Sequence, residues 1–179
     1  ECTAKIIKYR KIKVKGKNLF QIVFDQTSFY PEGGGQVGDV GAIFPKDRFP
    51  SLGKANVIET KRENNEIIHL VNKLPESDCA NFILVPDLKK RSFTSRNHSA
   101  THILHHEMRN FLGNHVEQKG SYVCAEYFRF DFSHFEKLTK NQISDLEKKI
   151  NNFIVQGFEL KEYRDLPIKE AKKMGAIAL

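Results

Sequence analysis

His98 and His102 stand four residues apart in His98-Ser99-Ala100-Thr101-His102, and on a helix that spacing puts two imidazoles on one face, within reach of a single metal ion. A zincin would need a glutamate directly after the first histidine as its general base; Ser99 stands there, which argues against a metalloprotease. His105 and His106 continue the run, and a solvated polar helix face accounts for it as well as a metal does. A second segment, Phe29-Tyr30-Pro31-Glu32-Gly33-Gly34-Gly35-Gln36-Val37-Gly38-Asp39, sets three consecutive glycines between strands. Such a run gives up side-chain packing for backbone access, so something is expected to approach it closely. No Lys-Ser/Thr follows, so it is not a Walker phosphate loop, and a flexible connection is the plainer alternative. A third segment, His115-Val116-Glu117-Gln118-Lys119-Gly120-Ser121, is polar and taken alone reads as a surface turn.

The elements that must position these residues change character near residue 90. Before it, short apolar runs at 5–14, 19–24, 37–43, 55–60, 66–71 and 82–85 are separated by Gly, Pro or Asn clusters, and Lys15-Gly16-Lys17-Asn18 predicts a hairpin turn. Six short strands with such turns point to a small barrel. After Pro86 the period becomes helical: Asn97 is the expected N-cap, Ala100, Ile103, Leu104, Met108, Phe111 and Leu112 recur at helical spacing, and Gly113 ends the pattern. Residues 127–133 alternate Phe128, Phe130 and Phe132 with Arg129, Asp131 and Ser133, the pattern of a half-buried strand. A helix capped by Thr139 and closed by Gly157 follows, then an expected strand at 158–163 and a short helix at 167–174. The expected fold class is α+β, with a small β-barrel unit carrying the glycine loop over 1–90 and a two-layer α+β core over 91–179.

At 179 residues, 40% hydrophobic and 28% charged, the composition is that of a globular chain able to bury a core. No run approaches the roughly 18 apolar residues that span a bilayer, and the N-terminus lacks a basic-then-apolar signal, so a cytoplasmic location is expected. Cys2, Cys79 and Cys124 are odd in number, widely spaced and outside any CxxC pair, which predicts reduced thiols. The net charge of +7 is concentrated in residues 1–17, where seven basic side chains face Glu1 alone. A strand so charged could follow a phosphate backbone, or its lysines could guard a sheet edge. The start at Glu1 and the apolar finish Gly175-Ala176-Ile177-Ala178-Leu179 give both ends the look of cuts.

Taken together and in order, the Thr27-to-Gly41 loop, the Asn97-His98…Thr101-His102 helix, HVEQKGS (115–121), RFDFSH (129–134) and the terminal GAIAL closely resemble the editing domain of alanyl-tRNA synthetases and the related free-standing alanyl editing proteins. HVEQKGS and RFDFSH are more like the full synthetase. The resemblance covers nearly the whole chain. It implies a translation-factor-like β-barrel followed by an α+β editing core that hydrolyses seryl- and glycyl-tRNA(Ala). It also implies zinc held by His98 and His102 with a later Cys-x-x-x-His; no such motif occurs within residues 1–179, so two ligands are expected beyond Leu179. Further implied are Gln118 lining the pocket, Thr27 contacting a serine hydroxyl, and Gly33, Gly34, Gly35 and Gln36 walling the RNA terminus. The acceptor end of tRNA(Ala) and the rest of the synthetase are the implied partners, and ATP and magnesium belong only to the full-length enzyme. A non-catalytic tRNA-binding module and a free-standing deacylase are the alternatives.

Overall fold

Seven strands use up the period-two segments of the first 86 residues: β1 (Cys2–Ala4), β2 (Ile6–Val14), β3 (Lys17–Phe24), β4 (Gly41–Pro45), β5 (Ala55–Glu63), β6 (Glu66–Val71) and β7 (Phe82–Pro86). They are drawn from a computed structural model that describes residues 1–75, 80–157, 159 and 161–176. The β2–β3 turn is two residues long, Lys15 and Gly16, with φ of 47° and 81°; Asn64 and Asn65, at 47° and 65°, do the same between β5 and β6. Paired positive φ values match the right-handed twist of a hairpin, which is why Gly and Asn stand there. The expected turn at 15–18 is therefore shorter, and β3 starts at Lys17.

The strands form one antiparallel sheet in the order β1-β7-β4-β5-β6-β3-β2. Among the described residues no ladder closes this sheet into a ring, so the expected barrel is not a hydrogen-bonded one. Its two outermost strands are nevertheless consecutive in the chain, with only Lys5 between them. The Lys5 N–H donates to Asp25 Oδ1 at 2.8 Å and its carbonyl accepts from Asp25 N at 3.1 Å. The sheet thus curls until its edges meet at one residue, around a core that includes Ala4, Ile22, Phe24, Ile43, Val71 and Leu84. The basic β2 lies at the edge, where Lys8 is ion-paired with Glu66 at 2.8 Å. Of the expected strand at 37–43 only the end is strand, because the N–H groups of Val37 and Asp39 and the carbonyl of Val40 bond to Val123, Tyr30 and Asp87 instead.

Helix α1 (Leu88–Leu112) begins ten residues before the start that a cap at Asn97 implies. Asp87 is the cap, its Oδ1 accepting the Lys90 N–H at 3.0 Å, while Asn97 sits inside the helix and donates its side-chain amide to Cys124 O at 2.8 Å. The stretch 88–96 has no apolar period, which hid these turns from the sequence pattern. Gly113, at φ 118°, closes the helix. The hairpin β8 (Gln118–Val123) and β9 (Phe128–Phe132) follows, then α2 (Lys140–Gln156) and α3 (Ile168–Lys173). Thr139 caps α2 through a reciprocal capping box with Gln142, and Gly157 ends it. In the expected strand at 158–163, Phe158 and Leu160 lie outside the described residues and the remainder carries no strand; Ile177, Ala178 and Leu179 of the terminal motif also lie outside.

The chain divides into two compact units, residues 1–100 with 120–130, and residues 101–119 with 131–179. In the second, Met108, Val116 and Leu146 are buried, and the Arg109 guanidinium donates to Val116 O at 3.1 Å. The His115 and His134 rings stack there with their Nε2 and Nδ1 atoms 2.8 Å apart. No helix among the described residues is long and apolar enough to cross a membrane.

Candidate functional site

The glycine-rich loop is held at both ends by buried polar contacts. The Tyr30 N–H donates to Asp39 Oδ2 at 2.6 Å, and Arg91, from the first turn of α1, is ion-paired with the same carboxylate and donates to Ser28 O at 2.6 Å. The Glu32 N–H donates to Thr60 O at 2.9 Å. Gly33 and Gln36 exchange N–H···O bonds of 3.1 and 3.0 Å around Gly34 and Gly35, whose φ values of 58° and 78° make a tight turn that side-chain-bearing residues resist. Beyond it the loop runs parallel to the end of β8: Val123 N donates to Gly35 O at 2.8 Å, and Val37 N to Val123 O at 3.0 Å. The close approach expected of the run is here the chain's own strand, since a Cβ on Gly35 would run into the Ser121 hydroxyl and lie 3.0 Å from the Ser121 carbonyl. With so many fixed backbone bonds, the segment is no flexible connection.

This turn faces the helix that carries His98. Gln36, 8% exposed, brings Oε1 to 2.8 Å from His98 Nδ1, and a Cβ on Gly34 would be 3.9 Å from His98 Cε1. An amide oxygen only accepts, so His98 Nδ1 carries the proton of this bond. Beside the turn opens a cavity of about 470 Å³ lined by Thr27, Phe29, Tyr30, Gln36, Arg91 and Ser95 among others. Two of the residues singled out by sequence, Thr27 and Gln36, thus share one cavity wall.

Thr27 is bonded on its inner side. Its Oγ1 accepts the Phe29 N–H at 3.0 Å and lies 2.8 Å from Nε2 of His69. His69 is fully buried in β6 with Nδ1 3.3 Å from Ile22 O, and the rings of Phe24 and Phe29 meet it edge-on at 5.2 and 5.3 Å. Burial lowers its pKa to about 4, against the bond to Ile22, so the imidazole is neutral near pH 7.

Helix α1 runs unbroken through residues 98 and 102, so the predicted i, i+4 spacing of the histidine pair holds. His102 is exposed, His105 is buried with its pKa lowered by that burial, and His106 is exposed against the Phe153 ring. Gln118 opens β8 half-buried. His102 and Gln118 belong to the second compact unit. Two imidazoles fall short of the three protein ligands of a catalytic zinc or the four of a structural one. Among the described residues no group of three or more His, Cys, Asp or Glu side chains is placed to hold a metal ion, so those residues by themselves do not make a complete zinc centre.

Sequence reasoning missed His69, Arg91 and Ser95 and gave Asp39 no role. His69 had one available signal: it interrupts the apolar run Ile67-Ile68-His69-Leu70-Val71 at the inward position shared with Val71. A histidine there has to find partners across the sheet.

Comparison with known proteins adds a direct line of evidence. Residues 1–80 match the family described as tRNA synthetases class II (A). The whole chain aligns with Alanine--tRNA ligase of Parabacteroides distasonis at 52% identity over 179 residues, covering 20% of that protein. It aligns with the ligase of the same name from Bacteroides thetaiotaomicron at 49% identity over the same length and coverage. With that of Cytophaga hutchinsonii it shares 46% over 177 residues, which is 99% of this chain and 20% of the relative. The chain therefore spans about a fifth of the length of the curated relatives it matches. By sequence it is akin, from end to end, to one stretch of alanine–tRNA ligases, and its first 80 residues match the class II (A) tRNA synthetases.

Proposed function

We propose that this chain is the editing part of an alanyl-tRNA synthetase, and that it hydrolyses the ester joining serine or glycine to the 3′-terminal adenosine of tRNA(Ala). The carrying observation is that Thr27 and Gln36, both from the glycine-rich loop, line one cavity while Gln36 is bonded to His98. Likeness to proteins about five times longer favours a segment of a synthetase over a free-standing deacylase. ATP, magnesium and the charging of tRNA with alanine belong to that whole protein.

The chemical need is specific. A pocket shaped for alanine cannot strongly exclude the smaller glycine, and in comparable pockets an added hydroxyl is rejected only about 100-fold. A second site must therefore remove the errors. The reaction is attack of water on the ester carbonyl, releasing the amino acid and the tRNA. Thr27 contacts the serine hydroxyl, and Gly33, Gly34, Gly35 and Gln36 wall the RNA terminus. Gln36 orients the His98 ring through Nδ1, as the outer partner of a metal-ligating histidine does. In the complete enzyme zinc, held by His98, His102 and ligands from beyond Leu179, would supply a Lewis acid or an anchor for the substrate. In this reading the curled, open sheet of the first unit stands in the place of the translation-factor-like barrel that the resemblance implies.

A second reading, a tRNA-binding module without catalysis, draws on one observation: β2 is an edge strand crowded with lysine and arginine. Deacylation assays separate the two. Seryl- and glycyl-tRNA(Ala) incubated with the intact ligase carrying this segment should be cleared, and alanyl-tRNA(Ala) spared. Binding of all three without ester cleavage would leave the module reading in place.

A further inference from the structure

The Thr27 hydroxyl owns one proton, and its bonding partners determine where that proton goes. Ile22 O can only accept, so the Nδ1 atom of His69, 3.3 Å away, carries the hydrogen of that contact. A neutral imidazole then has a bare Nε2, and the Thr27 hydroxyl 2.8 Å from it must be the donor. Burial keeps His69 neutral by lowering its pKa to about 4, so this tautomer persists through the physiological range. Thr27 Oγ1 also accepts the Phe29 N–H at 3.0 Å. What it retains is one lone pair, on a residue that lines the 470 Å³ cavity.

We infer that His69 is a positioning residue: by accepting the Thr27 hydroxyl hydrogen it makes Thr27 an acceptor toward the cavity, which therefore disfavours an aminoacyl group whose β-carbon carries no hydrogen-bond donor, while glycine, with no β-carbon, leaves that oxygen to water. This rests on the proposed hydrolysis of mischarged tRNA. It answers a question that size cannot, since alanine is smaller than serine and enters wherever serine does. Serine donates its hydroxyl to the waiting lone pair. Alanine presents a methyl group, displaces water from that oxygen and returns no bond, which disfavours its transition state in a desolvated site. A threonine hydroxyl left to rotate would hold this lone pair toward serine only part of the time and would discriminate less. The β6 framework prevents the rotation, because His69 is clamped by Ile22 O and by the rings of Phe24 and Phe29.

The test has a spectroscopic and a kinetic arm. Long-range ¹H–¹⁵N spectra of the unsubstituted chain at pH 7 should show His69 protonated at Nδ1 and bare at Nε2; protonation at Nε2 would overturn the inference whatever the chain's activity. In the intact ligase carrying this segment, His69→Phe should lower the preference for seryl- over alanyl-tRNA(Ala) in deacylation by about tenfold, the scale of one ordinary hydrogen bond. His69→Gln, which brings an acceptor oxygen near the place of Nε2, should restore most of it. Selectivity unchanged in His69→Phe while seryl hydrolysis continues would overturn the inference and leave the editing reading standing. An unsubstituted ligase that hydrolyses neither ester would sink the editing reading itself. Should His69→Phe not fold, the ring spectrum of the unsubstituted chain still decides.

Discussion

Gln36 Oε1 and His98 Nδ1 lie 2.8 Å apart, so a residue of the glycine turn sets the ring of the first α1 histidine within one compact unit. Removing the amide leaves a half-buried imidazole N–H without that acceptor. Gln36→Leu should destabilise the chain by about 1–2 kcal/mol, read as a shift of the urea midpoint at unchanged slope. In the intact ligase the same substitution should weaken zinc binding by about tenfold or more, read by competition with a chelating dye. Unchanged affinity would argue that His98 is no ligand.

Thr27→Val in the intact ligase should slow clearance of seryl-tRNA(Ala) and spare glycyl-tRNA(Ala) more. Glycine offers no hydroxyl for position 27 to read, while serine loses its partner. The valine also strands the buried Nε2 of His69, so a stability loss of about 1–3 kcal/mol should accompany the kinetic effect. Equal slowing on both substrates would assign Thr27 a structural role only.

Gly35 and Gly16 share a left-handed backbone, with φ of 78° and 81°, and differ in surroundings: Ser121 abuts Gly35, whereas nothing lies within 4 Å of a Cβ on Gly16. Gly16→Ala should therefore report the backbone strain alone, about 1 kcal/mol. Gly35→Ala should cost about 2–3 kcal/mol more because strand β8 must move. Ser121→Gly should recover part of the difference in the double variant, measured by thermal or urea unfolding.

The buried His69 links stability to pH with a definite sign. Its folded pKa of about 4 lies below the ordinary 6.5, so between these values the unfolded chain binds the proton more readily. Stability contributed by the neutral ring is fully present above pH 6.5 and falls as pH drops toward 4, by up to about 3 kcal/mol. Urea unfolding at pH 7.5 and pH 4.5 should show a larger difference for the parent chain than for His69→Gln. Equal differences would mean that other groups dominate acid unfolding.

For the histidine pair, the 179-residue chain should hold zinc weakly. Its two imidazoles leave the ion at least one ligand short. Elemental analysis after dialysis should find well under one zinc per chain. Extension past Leu179 through a Cys-x-x-x-His should restore binding that weakens at acidic pH as the histidines protonate. Stoichiometric zinc in the unextended chain would point to a further ligand within it.

Local chemistry was legible from the sequence. Lys15-Gly16 and Asn64-Asn65 announce turns because few residues accept paired positive φ, Thr139 announces a helix start, and the alternation from Phe128 to Phe132 announces a strand. The i, i+4 pairing of His98 and His102 follows from helical pitch, and the ordered motifs carried the likeness to alanyl-tRNA editing domains. Other features had no local signature. The start of α1 depends on the Asp87 cap and on an Arg91–Asp39 ion pair across 52 residues, not on an apolar period. Gly35 is required by Ser121, which only the pairing of the loop with β8 brings near. His69 meets Thr27 across 42 residues because β6 lies beside β3 in the sheet. Period and turn chemistry act over a few bonds and can be read from neighbours in sequence. The proton of Thr27 is directed by a buried ring whose partners exist only once the sheet has closed around it, and so its role was decided by the tertiary structure alone.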